Sequence, residues 1–311
     1  MRSVGLGVDW LRLAGRYSLA ILSAALIISA ASALNAATKV DSTQEYLDAF
    51  RSECAFGAAH MEVLRRHMIL LVPGYFSDLD PAYFSDQLRW LASSGVEHQK
   101  VAVKSRQSVA VNSSIIAAAI RNASKPVILI THSKGSVDTL DALRTDSASR
   151  RKVKGWISLQ GAFFGSPVAD MLLDDKRLNP LVVSVILQYL GGTREAAQNL
   201  TTSAALAYYR DNKPAIDAVV REVPAIAFAS ALEGEPGAQA RTNLEIPLEL
   251  MRRQGIRSDG LVPLDAAVLP GMAFVKIYGV DHIAPVLKAL QRFDRVRMTK
   301  ALLLLLEPFR E

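Results

Sequence analysis

The chain has 311 residues, half of them hydrophobic and 21% charged, with a single cysteine and a formal net charge of +6. That composition excludes a disordered chain, a disulfide-stapled scaffold and any cysteine-built zinc or iron–sulfur site. The 36 basic and 30 acidic residues are interspersed, the densest basic runs (150–152 and 292–300) being short or broken by apolar positions, so nucleic acid is not an expected partner.

At the amino end, Arg2, Arg12 and Arg16 precede a charge-free apolar run from Tyr17 to Leu34, which gives way to small residues at 31–37. A positive region, an apolar region and an A-x-A exit have the layout of a secretory signal peptide, with cleavage after Ala33 or Ala36. The alternative is an uncleaved anchor, since the run at 17–34 just reaches the length that spans a bilayer. Both readings carry the rest of the chain across a membrane, either exported to the periplasm or beyond, or held at the membrane by its amino end. The expected organisation is therefore a leader or anchor at 1–36 and one α/β domain at 37–311. The lone Cys54 reads as a small buried hydrophobe.

Along the remainder, Ser42-Thr-Gln-Glu45 reads as a capping box opening a helix to about Arg66. A continuous apolar run, 68–72, stops at Pro73-Gly74. Asp80-Pro81 suggests a helix start running to about Ser93, Val101–Val103 a short strand, and 112–123 an Ala-rich helix. A second apolar run, 127–130, leads into a helix expected from Ser133 to Arg144. Strands are expected at 153–159, 224–232 and 273–278, mostly helical structure at 170–222, and a final helix from about Pro285 to Leu306. Strands that are apolar throughout are buried on both faces, as in a parallel sheet flanked by helices. No G-x-G-x-x-G follows the first strand and no P-loop occurs, so no nucleotide cofactor is expected.

The segment Val127-Ile-Leu-Ile-Thr-His-Ser-Lys-Gly135 reads as strand, sharp turn and helix, with Ser133 at the turn. A serine held this way projects above the sheet at a helix N-terminus, and small residues two positions to either side let the backbones approach. Gly135 meets that demand, and Thr131 less well than glycine. The amide of Lys134 then faces the place where an oxyanion forms. A second donor is expected from the loop after the first strand, where Gly74 allows close approach and the Tyr75 amide is the candidate. A serine hydroxyl needs a base. Of the five histidines, His60 and His67 belong to the first helix, His98 to a polar turn, and His132 adjoins the serine and points away from it. His282, in the loop after the last strand, is the expected base. Asp259, in Ser258-Asp-Gly-Leu-Val262, is the expected carboxylate partner and completes the chain order Ser, Asp, His. Asp281 is its rival but neighbours His282 in an extended loop, where successive side chains diverge. Asp265 is read as capping the segment after it, and Asp138 as pairing with Lys134 along the helix.

Together these residues resemble the α/β-hydrolase superfamily, and within it secreted bacterial triacylglycerol lipases and esterases. Leu159-Gln-Gly-Ala-Phe-Phe-Gly-Ser-Pro-Val-Ala-Asp170 is similar to the family's strand-end segment, 199–209 to the helix before the acid-bearing strand, and 258–262 to the acid loop. The resemblance implies a mostly parallel central sheet with helices on both faces and a helical lid at about 170–222. It also implies a serine carboxylic-ester hydrolase, acting through an acyl-enzyme on lipid or other acyl esters. An acyltransferase or thioesterase using the same residues is the alternative, a non-catalytic binding module a third. The apolar segment 179–190 suits an acyl pocket or lipid-facing surface, or equally an ordinary buried helix. The chain departs from the pattern at Pro73, where relatives carry histidine, and at Thr131. A further departure is Ala284, where such lipases place an aspartate calcium ligand, so no metal is expected.

Overall fold

The computed structural model describes residues 40–52, 55–75, 77–78, 80–173, 194–232, 242–288 and 291–310. The leader or anchor at 1–36, Cys54 and the apolar segment 179–190 lie outside the described residues.

Among the described residues six strands form one sheet: β1 (Met68–Val72), β2 (His98–Lys100), β3 (Val127–His132), β4 (Val153–Leu159), β5 (Ala225–Ala231) and β6 (Ala273–Tyr278). Their spatial order is β2-β1-β3-β4-β5-β6 and every pairing is parallel. Parallel neighbours require crossovers, and helices supply them: α1 (Thr43–Arg51), α2 (Ala58–Arg65), α3 (Ser85–Ser93), α4 (Val109–Asn122), α5 (Lys134–Thr145) and α6 (Ser147–Lys152) come before β4 or lead into it. After β4 come α7 (Pro167–Leu173), α8 (Arg194–Gln198), α9 (Thr202–Glu222), α10 (Glu245–Arg252) and α11 (Arg295–Leu304).

Alternation along each strand splits the apolar runs between two cores. Leu70, Val72, Leu129 and Trp156 face α4, α5 and α9, packing with Ile116, Leu140 and Val219. Ile69, Leu71, Ile128, Ile130 and Ile157 face the opposite side, where Tyr46, Leu64, Leu91 and Leu302 close over them. Each such buried side chain contributes about 1.5–3 kcal/mol, which is why runs such as 127–130 carry no polar residue. Residues 40–42 continue the sheet beyond β6: Phe274 N–H donates to Val40 and Ser42 N–H to Phe274, at 3.0 and 2.9 Å. Among the described residues no helix is long and apolar enough to cross a membrane.

Several element boundaries differ from the sequence expectation. The first helix is two, broken before Gly57, whose N–H donates to His60 Nδ1 at the start of α2. Asp80-Pro81 opens a turn rather than a helix, and α3 begins only after Phe84, whose φ is 64°. The second strand lies at 98–100, not 101–103, so His98 is on the strand at the edge of the described sheet, paired with β1. The final helix starts at Arg295, where Asp294 accepts from Arg297 N–H, because 285–288 are held in the loop that carries His282.

Candidate active site

The chain passes from β1 outward to β2 and then returns to place β3 on β1's other side. The helices that follow β1 and β3, α3 and α5, accordingly pack on opposite faces of the sheet, and the carboxyl ends of these strands are where sites form in open α/β sheets. Ser133 stands at that point. Its φ of 53° and ψ of −127° are an uncommon backbone for a residue with a side chain, and its N–H is held by the Leu159 carbonyl at 3.0 Å. The turn is sharp enough to press α5 against β1. A Cβ on Gly135 would lie 2.5 Å from the Pro73 oxygen and 2.7 Å from that of Val72. Gly74 is also confined, a Cβ there meeting the Tyr83 hydroxyl at 2.9 Å and Ser133 Cβ and the His132 oxygen at 3.0 Å. The loop bearing Tyr75 thus runs directly against the serine.

Ser133 Oγ lies 2.9 Å from His282 Nε2, and His282 Nδ1 lies 2.8 Å from Asp259 Oδ2. Asp259 is 1% exposed and His282 4%, so this hydrogen bond operates away from bulk water, where it counts for more. The other carboxylate oxygen accepts the N–H groups of Leu261 and Val262 at 2.9 and 2.8 Å, fixing the carboxylate plane. His282 N–H donates to the Asp259 carbonyl at 2.9 Å, so backbone and ring are gripped by the same residue. The structure thus brings together Ser133, Asp259 and His282 from three separate loops.

The remaining expected residues are placed as follows. Lys134 is the first residue of α5, whose opening amides have no partner within the helix. Its side chain is buried and makes two bonds to Asp138, at 2.8 and 2.9 Å, with Asn112 Nδ2 on Asp138 at 3.0 Å. Burial pushes the Asp138 carboxyl up, to about 6, against the pull of Lys134. The pair expected along the helix is therefore a buried one. Tyr75 is buried at the site, and burial raises its phenol to about 12, opposed by Arg106. Asp281 accepts from Ile283 and Ala284 N–H at 3.0 and 2.7 Å, turning back into its own loop. Burial raises its carboxyl above the usual range. Asp265 pairs with Lys276 at 2.6 Å. Thr131, the departure from glycine, is accommodated by a buried hydroxyl network: Trp156 Nε1 donates to its Oγ1 at 2.9 Å, and that oxygen lies 2.7 Å from Ser136 Oγ.

Beside Ser133 a cavity of about 320 Å³ is walled largely by apolar side chains, among them Ala162, Val168, Leu200, Val262 and Val286, with His282 and Tyr75 at its edge. A larger hollow of about 710 Å³ lies at the other end of the strands, lined by Arg150, Arg151, Lys154 and Glu222 and containing none of these residues. Among the described residues no group of three or more His, Cys, Asp or Glu side chains could hold a metal ion. Two residues that the sequence did not single out also belong here. Gln160, at φ 49° beyond β4, reaches Ser230 Oγ at 2.5 Å and the Asp281 carbonyl at 2.9 Å. Tyr83 Oη sits 2.5 Å from His132 Nδ1 and accepts from Gly74 N–H at 3.1 Å.

No sequence-family description matches the chain, and no curated protein sequence does. Solved structures do. A metagenomic carboxyl esterase superposes with a TM-score of 0.60 at 19% identity, covering 76% of this chain and 74% of its own. The mature form of a lipase from Bacillus licheniformis superposes at 0.55 and 20% identity, over 70% of this chain and 85% of its own. Its propeptide form gives 0.54 at 20% identity, over 70% of this chain and 46% of its own. At such identities the likeness is one of fold, and with the parallel six-stranded sheet and the helices on both its faces it shows that the chain adopts the α/β-hydrolase fold.

Proposed function

We propose that the protein is a serine carboxylic-ester hydrolase that acts through an acyl-enzyme on lipid or other acyl esters. The observation that carries this reading is the hydrogen-bonded line Ser133–His282–Asp259, at 2.9 and 2.8 Å, opening onto an apolar cavity. The esterase and lipase among the solved structures of the same fold support it.

In this scheme Ser133 Oγ attacks the acyl carbonyl while His282 Nε2 takes its proton. Asp259, already bonded to Nδ1, stabilises the imidazolium and holds the ring in the tautomer that leaves Nε2 free to accept. The amides of Tyr75 and Lys134 receive the negative oxygen. Fixed donors in a water-poor pocket contribute most at that step, each about 2.7–4 kcal/mol. Collapse of the intermediate breaks the ester C–O bond, and His282 returns the proton to the departing alcohol. Water, deprotonated by His282, then attacks the acyl-serine and the cycle closes with Ser133 and a free carboxylate. The apolar cavity walls receive the acyl chain. Export, with residues 1–36 as leader or anchor, remains part of the same proposal and would bring the site to extracytoplasmic esters, with lipid surfaces met through the amino end or the lid region.

The test is covalent labelling by a fluorophosphonate, with turnover of p-nitrophenyl esters from two to sixteen carbons. Wild type is expected to be labelled and to turn over, and Ser133→Ala to do neither. Folded wild type that resists the probe and leaves every ester intact would overturn the reading.

A further inference from the structure

The buried histidine beside the serine lies on a continuous line of hydrogen bonds joining the two loops that flank the reaction. His132 Nδ1 faces Tyr83 Oη at 2.5 Å, and its Nε2 faces the His282 carbonyl at 2.9 Å and Gln160 Oε1 at 3.2 Å. Tyr83 Oη in turn accepts from Gly74 N–H, one residue before the Tyr75 amide.

The proton positions on this line follow from the partners. Gly74 N–H can only donate, so Tyr83 oxygen accepts it and directs its own O–H at His132 Nδ1. Nδ1 is then the acceptor, and the ring proton sits on Nε2. There it meets two acceptors. One is the His282 carbonyl. The other is Gln160 Oε1, whose orientation is set because Gln160 Nε2 donates to Ser230 Oγ and to the Asp281 carbonyl. The opposite tautomer would set two lone pairs against each other at 2.9 Å. A protonated ring would strip Tyr83 of its acceptor and place a charge 4.7 Å, centroid to centroid, from the ring of His282.

We propose that His132 is a positioning residue, held as the neutral Nε2–H tautomer, which with Tyr83 locks the Gly74–Tyr75 loop to the backbone of His282. The proposal rests on the ester-hydrolase reading, since His282 and the Tyr75 amide have reacting partners only in that chemistry. It assigns them a shared geometry that neither controls alone: one end of the line sets the oxyanion amide, the other the base. Burial, and the His282 ring beside it, hold the His132 imidazole well below the ordinary histidine range, which agrees with a neutral ring. The turn carrying Tyr83 is fastened to the same loop twice more, by Phe84 N–H on the Val286 carbonyl at 2.9 Å and Gln87 Nε2 on that of Pro285 at 2.8 Å. Tyr83 is therefore a fixed post rather than a swinging side chain.

The test is a double-mutant cycle in the full chain with Tyr83→Phe and His132→Phe, and His132→Gln as the conservative variant that can both accept and donate. Kinetics on a soluble p-nitrophenyl ester are normalised to fluorophosphonate-titrated sites, so a folding defect does not enter kcat. Each Phe variant is expected to lose about 10- to 100-fold in kcat, the scale of a small misplacement of reacting groups, with KM little changed. The double variant is expected to fall within about threefold of the worse single one, because either change already cuts the line. His132→Gln should recover part of the loss. In ¹⁵N-histidine spectra of wild type, one ring should stay neutral and Nε2-protonated from pH 8 to 5 and vanish in His132→Gln. Unchanged kcat in both Phe variants, losses that multiply in the double variant, or a His132 ring that titrates near pH 6.5 overturns the proposal. Wild type that neither labels nor turns over overturns the hydrolase reading instead, and the tautomer spectrum still reports on the line itself.

Discussion

Two aspartates compete for the role of partner to His282, and their side chains answer differently. Asp259 spends one oxygen on the Leu261 and Val262 amides and the other on His282 Nδ1, whereas Asp281 gives its Oδ1 to the amides of Ile283 and Ala284. Replacing Asp259 by Asn offers His282 an amide in place of an acceptor and favours the wrong tautomer, a change that costs about 10⁴-fold in kcat where this arrangement operates. Asp281→Asn keeps one acceptor oxygen for the same amides and should cost far less; ester turnover of the two variants under one set of conditions checks the order. His132 supplies a second residue-scale prediction. Its folded-state proton affinity is depressed well below that of an exposed histidine by burial and by His282, so below about pH 6.5 the unfolded chain binds a proton that the native one does not. Stability from this group is fully present above that pH and is lost as pH falls, at up to about 1.4 kcal/mol per unit. Asp138, Asp170 and Asp281 are raised by burial and act in the opposite sense, so the comparison is made against His132→Gln. Urea unfolding of both proteins at pH 7.5 and 5.5 should show wild type losing about 1.4 kcal/mol more than the variant.

At the scale of elements, the junction of β1, β3 and α5 is the tightest part of the site. Gly135→Ala would drive a methyl into the Val72 and Pro73 carbonyls, and backbone oxygens at the end of an interior strand cannot give way. The expected outcome is a loss of several kcal/mol, seen as a lowered melting temperature or failure to accumulate folded protein. This junction was legible in the sequence because its demands fall on contiguous residues: an apolar strand, a serine, a glycine two positions on and a helix. Asp259, on a glycine-containing loop between the last two strands, and His282, just past the last strand, were legible from loop position and chain order. Elements whose placement depends on distant partners were not. His98–Lys100 forms a strand with no apolar residue and no buried side chain, because it lies at the edge of the described sheet beside β1. The segment from Pro285 reads as helix, yet Gln87, Phe84 and Arg295 hold Pro285, Val286 and Leu287 in the histidine loop. Gln160 and Tyr83 carry no signal of their own, since a buried glutamine at positive φ and a tyrosine 49 positions from its histidine acquire meaning only in three dimensions.

Across the whole molecule, the amino end of the described chain belongs to the sheet. Val40 and Ser42 bond to Phe274 on the outer edge of β6, Thr43 Oγ1 accepts from Lys276 N–H, and Tyr46 stacks into the core against Phe50 and Phe228. An open strand edge invites pairing with another chain, and a covering segment removes that hazard. Two truncations separate this structural role from the export role proposed for the preceding residues. A chain beginning at residue 37 keeps every one of these contacts, so it should fold, hydrolyse ester and melt at the temperature of the full-length protein. A chain beginning at residue 48 loses the edge bonds and the buried Tyr46 ring, whose removal costs about 3–5 kcal/mol by analogy with large aromatic truncations in cores. It should therefore melt well below the first and self-associate through the bared β6 edge, which light scattering would detect. Equal melting temperatures for the two would mean that the first described residues contribute nothing to the fold. A drop already at residue 37 would mean that the leader region packs on the folded domain, contrary to a segment that serves only to carry the enzyme across a membrane.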